Sequence, residues 1–188
     1  MHYWQHLTAQ TRRNEHAAAY FVAGRRCPPD IKNDILRTPS VISGLQLSKA
    51  HQEAMMRILG AVSFFNNDVG YCQGMNYIAG LLIHLLDSEE DIFWLFNTLL
   101  NRYKLKEMLR PGLRKLKLRC FQLSRLLQNY LPEVYARLED LGVSTEMYAA
   151  KWFVTLLSYE LPFEQLAKVW DLFFQSGWKV IFRVILAV

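Results

Sequence analysis

Cysteine is scarce in this chain. Cys27, Cys72 and Cys120 are the only three among 188 residues. The number is odd and no pair has CxxC or metal-ligand spacing, which argues against a disulfide framework and fits a reducing compartment. His2 and His6 stand four apart near the start, but no further ligand lies near them, so a zinc site is not indicated. Long apolar runs are missing too: Tyr77 to Leu86 is short and carries His84, far from the length that spans a bilayer. The opening MHYWQHLTAQTRRNEH has no apolar stretch behind a basic start, so it is not a signal peptide. These absences describe a soluble or peripheral protein. No Gly/Ser linker, low-complexity tract or internal repeat divides the chain, and residues 1–188 are read as a single domain. No GxxxxGK[ST] string occurs, so the chain is not expected to bind GTP by itself. Alternating strand patterns are nearly absent, and no hairpin turn sequence stands between β-branched runs.

What is present points to a packed helical core. Hydrophobic residues make up 52% and charged residues 21%, which is too apolar for disorder. Aromatics reach 13%, so the core should be rich in rings. The net charge of +5 permits an anionic partner. It does not choose among such partners, and a solvated surface with a slight Lys/Arg excess is the favoured account.

Apolar residues recur at helical spacing. Leu47, Ala50, Ala54, Met55, Ile58, Ala61, Val62 and Phe65 line one face. Ser88-Glu89-Glu90-Asp91 resembles a capping box ahead of the apolar residues Ile92 to Leu100. Further helices are predicted from about Gly112, after Ser144 as N-cap, and after Pro162, the last broken by Gly177. All six prolines fall between periodic segments, where a helix tolerates them. The fold class is all-α, and helix after helix with short connections suggests an orthogonal multi-helix array. The chain closes inside an apolar segment, Ala187-Val188, so a partial domain that continues past it is expected.

Three segments could carry chemistry. In Ile31-Lys32-Asn33-Asp34-Ile35-Leu36-Arg37-Thr38, framed by prolines, Asp34 and Arg37 share a helix face. The Asp can aim the Arg, or the two form a surface ion pair of little worth. In Asn66-Asn67-Asp68-Val69-Gly70-Tyr71-Cys72-Gln73-Gly74-Met75-Asn76, turn residues bridge two apolar helices and place Gln73 near a helix N-terminus. The alternative is a connecting loop whose glycines permit close packing. Cys72 has no local base and reads as a buried, inert thiol. The third segment holds Arg102, Lys104, Lys106, Arg110, Arg114, Lys115, Lys117 and Arg119, opposed in sequence only by Glu107. It suits an acidic surface or phospholipid heads, or is a solvated helix face. Aromatic interleaving is limited to Tyr103, so nucleic acid is not expected.

Four strings, in this order, resemble the motifs of the TBC family of Rab GTPase-activating proteins. IKNDILRT is similar to IxxDxxRT, and VGYCQGMNYIAGLLI to GYxQGMN with its apolar helix. AAKWFVTLLSYELP carries a WF pair ahead of an apolar stretch and LP. VWDLFFQSGWKVIFRVILAV resembles WDLFF…G…FRxxLA. The chain departs from the pattern at Pro39-Ser40, where the family commonly has Phe-Pro, and at Asn66-Asn67, where it has Asn-Pro. The resemblance implies an all-α TBC fold, here partial, and stimulation of GTP hydrolysis on a Rab GTPase. By motif position the arginine finger falls on Arg37 and the glutamine finger on Gln73, with Asp34 and Tyr71 as supporting residues. GTP and magnesium would belong to the partner, with no cofactor on this chain. The place of action would be cytoplasmic, peripheral on endomembranes. The alternative is a TBC-like module that binds a small GTPase or serves as a scaffold with weak catalysis.

Overall fold

The computed structural model describes Val22, residues 27–38 and residues 41–187. The His2–His6 pair, the opening stretch and Pro39-Ser40 lie outside the described residues. Helix α1 (Pro29–Arg37) has Pro29 at its first position, Asp30 in the first turn and Arg37 in the last, so both charges complement the helix dipole. Ile31, Asp34 and Ile35 are buried at three-four spacing. Thr38 closes the helix, its N–H bonding to the Ile35 carbonyl.

Two short strands follow, β1 (Val41–Ile42) and β2 (Leu45–Gln46), paired antiparallel. This small hairpin is not predicted from the sequence, where strand patterns are nearly absent. Ser43 and Gly44 have φ of 52° and 82°, the paired positive values of a tight hairpin turn. Strands of two residues are too short to show an alternating pattern. Ile42 is buried, and its Cδ1 lies 2.5 Å from where a Cβ on Gly80 would stand, so the hairpin packs closely on the helix that carries Gly80.

The remaining helices are α2 (Lys49–Phe65), α3 (Met75–Leu85), α4 (Glu89–Asn101), α5 (Lys106–Leu109), α6 (Arg114–Tyr130), α7 (Pro132–Asp140), α8 (Thr145–Thr155), α9 (Phe163–Ser176) and α10 (Lys179–Ala187). The all-α reading stands. Ser88 caps α4 as predicted, its hydroxyl accepting from Asp91 N–H at 3.3 Å. Ser144 occupies the N-cap of α8, but its side chain makes no capping bond there. A reciprocal capping box instead opens α2, between Ser48 and His51. Gly177, with φ of 71°, ends α9.

Helix α2 packs against α1, α3 and α4, while α8 bridges α3 and α6. One buried cluster runs from Ile31 to Ile185, and Trp170, Phe93, Phe96, Phe153 and Phe173 are its largest fully buried members. The aromatic-rich composition is spent here. The consequence for function is that α1 and the start of α3 lie against each other, which brings the first two motifs together.

Candidate functional site

Asp34 is the joint of the site. Its position on the inner face of α1 leaves it only 5% exposed. One carboxylate oxygen takes the Arg37 guanidinium one turn on. The other accepts the Tyr71 hydroxyl at 2.7 Å, from 37 positions away. The surface-ion-pair reading of Asp34 and Arg37 is corrected on the acid's side. The Arg37 side chain is 63% exposed, but its partner carboxylate is buried, because Ile31, Asp34 and Ile35 share the face that meets α2 and α3. A buried carboxylate must find donors, and here one of them is the guanidinium it aims.

The second segment is clamped to the first through further bonds. Thr38 donates its hydroxyl to the Asp34 carbonyl at 2.6 Å, and Asn76 donates its amide to the Thr38 hydroxyl at 2.7 Å. The Asn76 carbonyl oxygen in turn accepts from Gly74 N–H at 3.1 Å. Thr38 and Asn76 were not singled out in the sequence, although both stand inside the motif strings. A signal was present: a short hydroxyl at the end of one helix and a short amide in the first turn of another.

Gln73 is exposed and immediately precedes Gly74, the N-cap of α3. Gly74 has φ of 107°, and a Cβ there would meet Val154 Cγ1 at 2.7 Å. Both the backbone angle and the close approach of α8 require glycine. The loop's glycine permits close packing, and that packing leaves Gln73 exposed next to a helix N-terminus. The start of the loop is held by Asn66, which is buried. Its amide donates to Val62 carbonyl and to Asn97 Oδ1, and its own carbonyl accepts from Asn101. Asn66 was read as turn chemistry, yet its side chain is a core tether.

The electrostatics agree with the geometry. Burial pushes the Tyr71 phenol well above its ordinary value, and its bond to the Asp34 carboxylate pushes it further. Tyr71 therefore stays a donor. Burial also raises the Cys72 thiol, with Asp34 adding to it, which suits an inert thiol and not a nucleophile. Among the described residues no group of three or more His, Cys, Asp or Glu is placed to hold a metal ion.

The basic stretch does not form one solvated face. Arg119 is buried, and its guanidinium stacks over the Trp178 ring at 4.0 Å. Burial lowers its pKa to about 10. Its place on α6 beside the buried Leu116, Cys120 and Leu123 turns it inward. Lys106 and Arg110 reach Asp68 at 2.9 and 3.4 Å, an acid that lies far from them in sequence. Arg102, Lys104, Arg114 and Lys117 remain exposed, and Lys115 is half-buried. No helix among the described residues is long and apolar enough to cross a membrane.

Comparison with known proteins returns one consistent answer. A sequence profile described as the Rab-GTPase-TBC domain matches residues 2–188. The chain is 32% identical over 187 residues to the ecotropic viral integration site 5 ortholog of Drosophila melanogaster, covering 98% of this chain and 23% of that protein. It is 39% identical over 140 residues to TBC1 domain family member 4 of Mus musculus, covering 74% of this chain and 11% of that one. The chain thus spans a quarter or less of these curated relatives. Its structure superposes on the crystal structure of the Chlamydomonas flagellar RabGAP TBC domain with a TM-score of 0.78 and 29% identity, over 98% of this chain and 62% of that one.

Proposed function

The chain belongs to the Rab-GTPase-TBC domain family, and from that premise we propose that it accelerates GTP hydrolysis on a Rab-family small GTPase, with Arg37 and Gln73 reaching into the partner's nucleotide site. The observation that carries this reading is the Asp34 joint. One buried carboxylate binds Arg37 from α1 and Tyr71 from the loop, and both Arg37 and Gln73, two residues beyond Tyr71, are exposed. Residues 36 positions apart in sequence are thereby mounted on one support.

The chemistry fits the residue types. Phosphoryl transfer spreads negative charge over the transferring group and the leaving oxygen. A planar guanidinium with several donors stabilises that charge from outside. An arginine finger contributes about 10³–10⁵ in rate, or about 4–7 kcal/mol of barrier. The attacking water also needs orienting. The Gln73 amide would accept from that water and donate to a phosphate oxygen. Nucleotide and magnesium are the partner's; this chain acts in trans and turns over no substrate of its own. Its place of action is the cytoplasmic face of endomembranes. The exposed cations Arg102, Lys104, Arg114 and Lys117 offer an acidic membrane a weak, salt-sensitive contact, from which the buried Arg119 is removed.

GTP hydrolysis by a panel of Rab proteins, measured with and without the chain, tests the proposal. Acceleration of at least one Rab, lost by about 10³ in kcat/KM in Arg37→Ala and strongly reduced in Gln73→Ala, is expected. If Arg37→Ala matches the parent, the mechanism fails. Nucleotide-dependent binding without acceleration would mark a docking or scaffolding module instead.

A further inference from the structure

The third motif, AAKWFVTLLSYELP, has no part in the chemistry above, yet it contains two consecutive leucines in the left-handed region. Leu156 and Leu157 follow α8 with φ of 51° and 65°. Leucine in this left-handed region costs about 1–2 kcal/mol per residue, and such conformations persist only where the surroundings over-determine them. Here they do. Trp170 Nε1 donates to the Leu156 carbonyl at 3.0 Å, and the Ser43 hydroxyl to the Ser158 carbonyl at 2.7 Å. Phe163 N–H donates back to the Ser43 carbonyl at 2.8 Å. Both leucines are buried. The hairpin and α9 thus grip one turn from two sides.

The product of that turn is Tyr159, which is 42% exposed. Its ring meets Tyr77 edge-on, with centroids 4.9 Å apart. The Lys151 ammonium sits over the Tyr159 ring as a cation–π contact, 2.7 Å from its centroid. Tyr77 lies in the first turn of α3, four positions after Gln73. Its phenol is raised by burial, then by Tyr159 and Asp34, and lowered by Arg37, so the aromatic pair shares the field of the Asp34–Arg37 joint. Lys151 is exposed and pairs with no carboxylate among the described residues. A cation with no carboxylate partner among the described residues, held over a ring that meets Tyr77 on α3, loses less side-chain freedom on meeting an anion than a free lysine would.

We propose that Lys151, held on Tyr159 and through it against Tyr77, is a specificity determinant that pairs with a carboxylate on the GTPase surface bordering the nucleotide site. The inference rests on the activation reading above. Tyr159 and Tyr77 act as positioning residues, and the strained Leu156–Leu157 turn sets where the ammonium stands. A GTPase with an acidic residue at that border is preferred; one with a basic residue there is rejected, because like charges in contact are costly.

The test uses the Rab that responds best to the parent chain, with hydrolysis followed over a range of GTP-loaded Rab at two salt concentrations. Lys151→Glu should raise KM about tenfold and Lys151→Gln about threefold, while kcat stays within about twofold of the parent. The salt dependence of kcat/KM should flatten in Lys151→Gln. Tyr159→Leu should raise KM by an intermediate factor, with its thermal midpoint recorded to confirm folding. If KM and salt dependence are unmoved in both Lys151 variants while Arg37→Ala is inactive, the inference is overturned and the activation reading stands. A fall in kcat with KM unmoved in Lys151→Glu also overturns it. A parent chain that accelerates no Rab overturns both.

Discussion

Asp34 and Asp68 each gather two donors, and in sequence both look like acids near a basic or polar neighbour. Asp34 binds Arg37 and Tyr71 from a site only 5% exposed. Asp68 binds Lys106 and Arg110 with its own side chain 44% exposed. The bonds are alike in kind, but water is available to one carboxylate and not to the other. A buried carboxylate that loses a donor has nothing to replace it, whereas an exposed one exchanges a lysine for solvent at little cost. The same residue type therefore aims a side chain in one place and decorates a surface in the other.

Substitutions can break this contrast, beginning with the largest expected effect. Asp34→Ala should destabilise the chain by about 3 kcal/mol, the low end for a broken buried pair because Arg37 can still reach water. Urea unfolding would measure it, and a loss below 1 kcal/mol would place Asp34 with Asp68. Asn66→Ala removes the tether at the start of the same loop and strands the partner atoms on Asn97 and Asn101; about 2 kcal/mol should be lost. Tyr71→Phe keeps the ring and deletes one donor, for about 1 kcal/mol. Because the loop then loses its direct bond to Asp34 and is held to α1 only through Asn76 and Thr38, activation of the responsive Rab should fall about tenfold or more, read as kcat/KM. Asp68→Asn should leave the thermal midpoint at neutral pH within the scatter of the measurement. The hydrogen bond from Lys106 holds the Asp68 carboxyl below its ordinary value. Any stability it supplies is thus present above the ordinary Asp range and lost as pH falls through the lowered value. The small difference between parent and Asp68→Asn should vanish in that window, and a midpoint shift of several degrees at neutral pH would erase the distinction between the two acids.

The fold was largely legible, for a physical reason. Helices with three-four apolar spacing declare themselves locally, as Met55, Ile58 and Val62 do in α2 and Ile92 to Leu100 in α4. The hairpin was not legible, since two residues per strand carry no period and its signal, Ser43-Gly44, is a single dipeptide. Arg119 was misplaced among surface cations because charge alone carries no direction; its helical position beside Cys120 and Leu123 was the available clue. Of the site, Asp34, Arg37, Tyr71 and Gln73 were recognisable from motif strings. Thr38 and Asn76 stand in the same strings but were not singled out, and Asn66 was read only as a turn residue, because their importance lies in bonds to residues more than thirty positions away.

The sequence by itself determined the helical period, the proline and glycine breaks, and the residue types able to stabilise a phosphoryl transfer, because each is a local property of a few neighbours. Only the tertiary structure decided that Asp34 is buried while Arg37 is exposed, that Tyr71 closes on Asp34, and that Asp68 meets Lys106 and Arg110 instead. Burial depends on what packs over a residue, and for Asp34 that is settled by α2 and α3 closing on α1.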